Sequence, residues 1–249
     1  MSAPAGSSAY AQEDSVGGIA PNGLVDLAMV GAFGLIGAPF LLKGLYGGSA
    51  ERRRKLLDRL ELPADAFDSL GGWSADVGLL ELITDHILRL KPATIVEFGS
   101  GVSTLVIAAA LRRSGARYSS FISFEQNEEF RGHTSRLVES HGLRADVRHA
   151  PLTKAPAPWE GLWYDHGPLP RHIDLLLVDG PPWTVHPFTR GSAESLFSKL
   201  RVGGTVILDD AARPGERLVA RRWRRNWPNF DFTLERVGSK GALVGRRLR

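Results

Sequence analysis

Apolar residues in the C-terminal two thirds of the chain fall into short runs separated by longer stretches of helical spacing. After Pro92 the short runs predict five strands, at residues 94–98, 119–124, 146–150, 173–178 and 205–208. Strands that alternate with helices favour a mainly parallel sheet with helices on both faces. The pattern therefore predicts an α/β fold of doubly wound type.

Further elements are predicted on either side of this alternation. Residues 230–237 and 242–245 resemble strands, and the turn-forming residues 238–241 between them predict a closing antiparallel hairpin. Before the first strand, helical spacing predicts helices at 51–60 and 77–90. The sheet is thus expected to carry an N-terminal helical extension.

The N-terminal residues differ in character from the rest. Residues 1–22 are rich in Ser, Gly and Ala and predict a disordered leader. The segment 23–48 contains an apolar run, 24–42, which barely reaches the roughly 18 to 20 residues that span a bilayer. Two interpretations stay open: a membrane anchor or interfacial hairpin, or a helix packed on the domain or on a partner. An anchor would lie at the cytoplasmic face, because the basic run 51–55 follows it.

The remaining residues divide into two parts. Residues 49–74 are expected to form a helical and loop extension, and residues 75–249 the α/β domain. The chain has no cysteine, which excludes disulfides, thiolate metal sites and a cysteine nucleophile and suits the cytoplasm. The arginine clusters resemble solvated surfaces, and no recognition module points to nucleic acid as a substrate.

Glycines and an acid mark the ends of the first two predicted strands. Gly99 and Gly101 let the backbone turn sharply into a helix whose free N–H groups face a ligand, although such a turn also needs glycine on steric grounds alone. Glu125 follows the second strand, where a carboxylate accepts both ribose hydroxyls of a nucleotide-like ligand. Together they predict a nucleotide-like binding crevice.

Three more acids follow later strands. Asp179 ends the strand at 173–178, and Asp209 and Asp210 end the next one. Carboxylates gathered at one edge of the sheet repel one another unless a proton, an arginine or a divalent cation intervenes. Oxygen ligands would suit magnesium or calcium. The alternative is that Asp210 caps the helix beginning near Pro214 and Asp209 pairs with Arg213, without a metal.

These motifs together resemble class I S-adenosylmethionine-dependent methyltransferases. The resemblance covers about residues 73–248 and rests on Glu-Phe-Gly-Ser-Gly at 97–101, Glu125, Val-Asp-Gly-Pro-Pro at 178–182 and Leu-Asp-Asp at 208–210. It implies a Rossmann-like, seven-stranded sheet with an antiparallel C-terminal hairpin strand. It also implies S-adenosylmethionine as the cofactor, with Glu97 at its methionine end and Glu125 at its ribose, and a cofactor site completed by Gly99, Ser100, Gly101, Ser103 and Asp179.

Catechol- and caffeoyl-type O-methyltransferases are the relatives that the resemblance suggests. By position, Asp179, Asp209 and Asp210 resemble the Mg²⁺ ligands of the metal-dependent members. The chain departs from that pattern in having an acid where those enzymes have an amide, and in lacking the lysine that serves catechol methyltransferases as a base. Asp179 and His186 are the candidate catalytic bases.

The acceptor is expected to be a hydroxyl of a small-molecule, glycan-like or lipid-linked compound. Trp73, Tyr164 and Trp183 are predicted in loops near the carboxyl edge of the sheet, where they would wall an acceptor pocket, and Arg213 would attract an anionic acceptor. Two alternatives stay open: a nicotinamide-dependent oxidoreductase, although the full glycine fingerprint is missing, and a membrane-tethered binding protein without turnover.

Overall fold

A computed structural model describes residues 28–36, 48–67, 75–115 and 119–249. The predicted leader at 1–22, the candidate acceptor residue Trp73 and both ends of the apolar run at 24–42 lie outside these ranges.

In the described part of the chain, nine strands form two sheets. They are β1 Thr94–Phe98, β2 Ser120–Glu125, β3 Asp146–His149, β4 Leu152–Lys154, β5 Leu162–Tyr164, β6 Ile173–Val178, β7 Leu200–Leu208, β8 Phe230–Glu235 and β9 Ala242–Arg247. The main sheet has seven strands in the order β3-β2-β1-β6-β7-β9-β8, and β9 is antiparallel to both of its neighbours. The predicted Rossmann-like α/β fold with its antiparallel hairpin strand is confirmed.

Helices cover both faces of the main sheet. They are α1 at 28–36, α2 Ala50–Leu60, α3 Val77–Leu90, α4 Val102–Ser114, α5 Glu128–Ser140 and α6 Pro214–Asn226, with a 3₁₀ segment at Thr189–Lys199. Alternate side chains of the central strands enter opposite cores. Leu175 and Leu177 pack towards α2, α3 and α4, whereas Leu176 and Val178 pack towards α6 and the 3₁₀ segment.

The second sheet is a small hairpin of β4 and β5 that the apolar pattern did not predict. Each strand has only three residues, too few to show a period of two. The prediction that Tyr164 lies in a loop is wrong, because Tyr164 ends β5 and is 3% exposed. Trp159, between the two strands, donates a hydrogen bond to Glu194 at 2.8 Å and anchors the hairpin on the 3₁₀ segment.

Helix α1 is the described part of the apolar run. A Cβ on Gly34 would lie 3.1 Å from the Trp183 ring, and Phe33 meets the ring of Phe188 edge-on at 5.2 Å. The helix thus lies against the loop that follows β6. Among the described residues, no helix is both long enough and apolar enough to cross a membrane.

The turn between β8 and β9 is fastened to the start of α3. The Asp76 carboxylate caps α3 by accepting from Leu79 N at 3.0 Å, and it also accepts from the backbone N–H of Ser239 in the turn at 2.8 Å. Asp76 is 2% exposed, so both hydrogen bonds are shielded from water. One carboxylate therefore fixes the orientation of the turn.

We expect the substitution Asp76→Ala to lower the free energy of unfolding by about 2–3 kcal/mol, because it removes a buried helix cap and leaves the part-buried Ser239 N–H without an acceptor. Urea denaturation followed by circular dichroism would measure the change. Asp58→Ala, at an exposed position of α2, is the matched control and should change the stability by less than about 0.5 kcal/mol. Equal effects of the two substitutions would contradict this role.

Candidate active site

Four loops meet at the carboxyl edge of the main sheet, after β1, β2, β6 and β7. Parallel sheets bind ligands at this edge, where neighbouring loops leave a crevice. The backbone brings the first and third of these loops into contact, because Gly180 N donates to Phe98 O at 2.8 Å.

The loop after β1 needs glycine at two positions for different reasons. Gly99 has a φ of +91°, and a Cβ there would lie 2.6 Å from Gly180 N. Gly101 has a φ of +154°, but the nearest contact for its Cβ would be the Phe130 ring at 3.9 Å. Close packing therefore requires the first glycine, and backbone conformation alone requires the second.

Glu97 is a fully buried acid below the glycine loop. Its Oε2 accepts hydrogen bonds from Thr104 Oγ1 and Ser123 Oγ, both at 2.6 Å. Among the described residues, no hydrogen-bond donor reaches its buried Oε1. Burial raises the pKa of Glu97 to about 7, and the hydroxyl groups of Ser123, Thr104 and Ser103 oppose that rise. Ser103, in the first turn of α4, is buried beside it.

Glu125 joins the end of β2 to the glycine loop. Its Oε2 accepts from Ser100 N at 3.0 Å, and its Oε1 accepts from Asn127 N at 3.1 Å. Burial raises the pKa of this carboxyl to about 7, although the backbone hydrogen bonds oppose the rise. The structure thus brings together the glycine loop and the two acids that the sequence predicted at the ends of β1 and β2.

The three later acids also come together. One oxygen from each of Asp179, Asp209 and Asp210 lies within 4.8 Å of the others. Burial, followed by the charges of the other two, raises the pKa of Asp209 well above its usual range. The pKa of Asp179 is raised as well, mainly by burial. Burial and the two neighbouring carboxylates therefore favour the protonated form of Asp209.

Three cationic side chains lie among these acids. Asp210 Oδ2 accepts a hydrogen bond from Arg190 Nη1 at 3.0 Å and forms an ion pair with Arg213 Nη1 at 2.7 Å, while Lys240 Nζ lies 3.8 Å from Asp210 Oδ1. Burial alone would raise the pKa of Asp210, but these cations outweigh it and hold the pKa below its usual range. Asp210 is therefore a carboxylate surrounded by positive charge.

The sequence also allowed an alternative without a metal, in which Asp209 pairs with Arg213 and Asp210 caps α6. The structure changes both of these partners. Arg213 pairs with Asp210 rather than with Asp209, and Arg213 itself precedes the first residue of α6, so Asp210 does not cap that helix. Asp210 instead adopts a left-handed φ of 59°, which turns its carboxylate towards the cations.

The same cations decide how well the site fits Mg²⁺. A divalent ion bound by the three acids would lie within a few ångströms of two guanidinium groups and an ammonium group, and the low polarity around buried groups strengthens that repulsion. Asp210 Oδ2 accepts a hydrogen bond from Arg190 Nη1 at 3.0 Å and lies 2.7 Å from Arg213 Nη1, and Asp210 Oδ1 lies 3.8 Å from Lys240 Nζ. The residues present do not fit a divalent cation.

Arg190 and Lys240 are site residues that the sequence analysis missed. Arg190 lies in the 3₁₀ segment, and Lys240 lies in the turn that Asp76 holds; the two are 5% and 3% exposed. Ala212 N donates to Lys240 O at 3.0 Å, which docks the turn on the loop after β7. The only signal in the sequence was an excess of acids at one edge of the sheet, which required cations from elsewhere in the chain.

His186 does not face the acid cluster in this structure. Its Nδ1 accepts from Phe188 N at 3.2 Å, its Nε2 lies 3.9 Å from Glu160, and a Cβ on Gly161 would lie 2.6 Å from its own Cβ. The ring therefore packs between the loop after β6 and the β4–β5 hairpin.

The predicted acceptor residues separate into two places. Trp183 and Arg213 line one narrow cavity together with Phe33 of α1, Pro187 and Glu216. Tyr164 lies elsewhere: its hydroxyl donates to Gln126 Oε1 at 2.8 Å, and a Cβ on Gly180 would lie 2.0 Å from the same hydroxyl.

Comparisons with known proteins agree with this geometry. Residues 96–211, from β1 to the loop after β7, match a family described as a methyltransferase domain. The chain carries a methyltransferase domain. The resemblance to class I S-adenosylmethionine-dependent methyltransferases is therefore confirmed. No curated protein sequence is significantly similar to the chain.

Solved structures of other methyltransferases share the fold of this one. An O-methyltransferase from Bacillus cereus in complex with S-adenosylhomocysteine is 15% identical, with a TM-score of 0.54, and the alignment covers 90% of this methyltransferase and 99% of that chain. An O-methyltransferase of tomaymycin synthesis from Streptomyces achromogenes, in complex with S-adenosylmethionine, is 13% identical, with a TM-score of 0.53 and the same coverage. At these identities the likeness shows the fold.

Proposed function

We propose that this methyltransferase transfers the methyl group of S-adenosylmethionine to a hydroxyl of a small molecule. The observation that carries the proposal is the pair of buried acids, Glu97 and Glu125, at the ends of adjacent strands on either side of a glycine loop. The methyltransferase domain and the cofactor complexes of the two O-methyltransferases support it. The catalytic domain is proposed to begin near residue 75.

Each acid suits one part of this cofactor. The buried Oε1 of Glu97, which no donor among the described residues reaches, suits the ammonium group of the methionine moiety. Glu125 suits the two ribose hydroxyls, which would compete with Ser100 for its Oε2. Ser100, Gly101 and Ser103 would surround the methionine end, and Asp179 would close the site on the side of β6. When bound, the cofactor supplies an electrophilic methyl group on a sulfonium.

Asp179 would take the proton of the acceptor hydroxyl as its oxygen forms a bond to the methyl carbon. A carboxyl group with a raised pKa is a stronger base than an exposed one, and Arg190 Nη2, 3.8 Å from Asp179 Oδ1, holds it near the cluster. Trp183 and Arg213 are proposed to contact the acceptor beside the narrow cavity below α1, whose volume of about 20 Å³ would have to widen to admit it. This assigns the base to Asp179 and gives His186 a packing role.

The proposed acceptor class is supported by one structural neighbour, an O-methyltransferase that takes part in tomaymycin synthesis. Glycan-like and lipid-linked acceptors, and a contact of residues 24–42 with a membrane, stay predictions. Screening a panel of phenols, catechols and sugars with methyl-labelled S-adenosylmethionine would identify the acceptor.

Isothermal titration with S-adenosylmethionine and S-adenosylhomocysteine tests the cofactor site. We expect Glu125→Gln to weaken the affinity at least about 30-fold, because each hydrogen bond from a ribose hydroxyl to a carboxylate contributes roughly 1.5–3 kcal/mol. Glu128→Gln is the matched control, since Glu128 is an exposed acid three residues along the chain that pairs with Arg131.

No heat with either ligand from folded wild-type protein would overturn the proposal. A titration with nicotinamide dinucleotides would then test the oxidoreductase alternative. Binding without methylation of any acceptor in the panel would instead favour a binding protein without turnover.

A further inference from the structure

We propose that the Arg190 guanidinium, with Lys240 and Arg213, takes the place of a divalent cation among Asp179, Asp209 and Asp210, so that this methyltransferase works without a metal ion. The inference deepens the proposed function and rests on it. It concerns the acid cluster at the ends of β6 and β7, which in composition resembles an oxygen-ligand metal site.

The first argument is the position of the guanidinium. Arg190 Nε donates to Pro181 O at 3.1 Å, in the loop after β6, and Nη1 donates to Asp210 Oδ2 at 3.0 Å, in the loop after β7. Nη2 lies 3.8 Å from Asp179 Oδ1. One planar cation thus bridges the two loops that provide the acids, as a metal ion bound by the same acids would do.

The second argument is charge. A cluster of buried carboxylates is unstable unless positive charge or protons offset it. Here two guanidinium groups and one ammonium group lie within 4 Å of these acids, and all three basic side chains are less than a tenth exposed. Positive charge is therefore already provided by the chain, and a divalent ion would add two more charges to a cluster in which these cations already face the three acids and the buried Glu216.

The third argument is that three separate elements fix these cations. Arg190 belongs to the 3₁₀ segment, Arg213 directly precedes α6, and Lys240 sits in the β8–β9 turn that Asp76 holds. A metal ion could enter only if well-packed side chains moved away together. The cluster is thus built around its internal cations.

Titration of the full-length protein with Mn²⁺, followed by electron paramagnetic resonance of the free ion, tests the inference. We expect wild-type protein to leave Mn²⁺ free at millimolar concentration. Removing a cation should create affinity, so Arg190→Met and Lys240→Met should each bind Mn²⁺ at least about tenfold more tightly than wild type. Arg201→Met, which removes an exposed arginine paired with Asp174 outside the cluster, is the matched control and should behave like wild type.

Stoichiometric Mn²⁺ binding by the wild type, lost in Asp209→Asn, would overturn the inference. The wild-type titration decides the matter even where Arg190→Met does not fold. Titration of the wild type with S-adenosylmethionine in EDTA separates this inference from the proposed function: cofactor binding that requires added Mn²⁺ would overturn the internal-cation proposal alone, whereas no cofactor binding with or without Mn²⁺ would overturn the proposed function.

Discussion

Replacing Asp179 with asparagine is expected to lower kcat by about 10³-fold, because general base catalysis typically contributes 10²–10⁴-fold and the amide cannot accept the acceptor proton. Asparagine keeps the shape of the side chain, so the larger effect should fall on kcat rather than on cofactor affinity. Steady-state kinetics with the acceptor found by the panel would measure both. Asp179 is the natural base because it ends β6 beside the glycine loop, held between Arg190 and the neighbouring acids.

The pH profile separates a base from a merely structural acid. Burial raises the pKa of Asp179, so kcat of the wild type should fall as the pH drops through that raised value and the base becomes protonated. The asparagine variant should lose this limb of the profile. Asp165 is an exposed acid directly after β5, and the control variant Asp165→Asn should keep both the wild-type kcat and its decrease at low pH. A variant of Asp179 with wild-type kcat and an unchanged profile would show that another group takes the proton.

The fold was predictable from sequence wherever a buried strand gave a continuous apolar run. β1 and β6 have the predicted bounds, because both faces of these central strands are covered and most of their positions are apolar, with Thr94, Glu97 and Asp174 as the exceptions. β7 begins at Leu200, five residues earlier than predicted, since Gly203 and Gly204 interrupt the apolar run without ending the strand. The β4–β5 hairpin was missed because its strands are too short to show a period.

The candidate site was predictable where strand ends determine position, and unpredictable where tertiary packing does. Glu97, Glu125 and Asp179 lie within one residue of the carboxyl ends of three parallel strands, β1, β2 and β6, so their meeting at one edge follows from topology. Arg190 and Lys240 reach the same edge from a 3₁₀ segment and a hairpin turn, and no spacing in the sequence relates them to the acids. The excess of acids indicated that cations or protons were needed but not which residues provide the charge.

Affinity for S-adenosylmethionine is expected to fall about 10²-fold between pH 7.5 and pH 5.5. Burial raises the pKa of both Glu97 and Glu125 to about 7, so below that pH each is mostly neutral before the cofactor arrives. The cofactor's ammonium group next to Glu97 and its ribose hydroxyls next to Glu125 both favour the ionised form of these carboxyl groups. Binding must therefore release the proton that each carboxyl carries at low pH. Each such group can weaken binding up to about tenfold per pH unit below its pKa. Calorimetry in two buffers of different ionisation enthalpy would measure the protons released.

Unfolding cannot account for this loss, because these two acids affect stability in the opposite direction. Their pKa is higher in the folded state than in the unfolded chain, so the folded protein binds more protons between about pH 4.5 and 7. Their contribution to the free energy of unfolding therefore decreases as the pH rises and is greatest on the acidic side, where the affinity is lowest. Glu97→Gln should bind weakly at every pH and with a shallower pH dependence, whereas Glu128→Gln should follow the wild type. An affinity independent of pH from 5.5 to 7.5 would show that neither acid changes protonation when the cofactor binds.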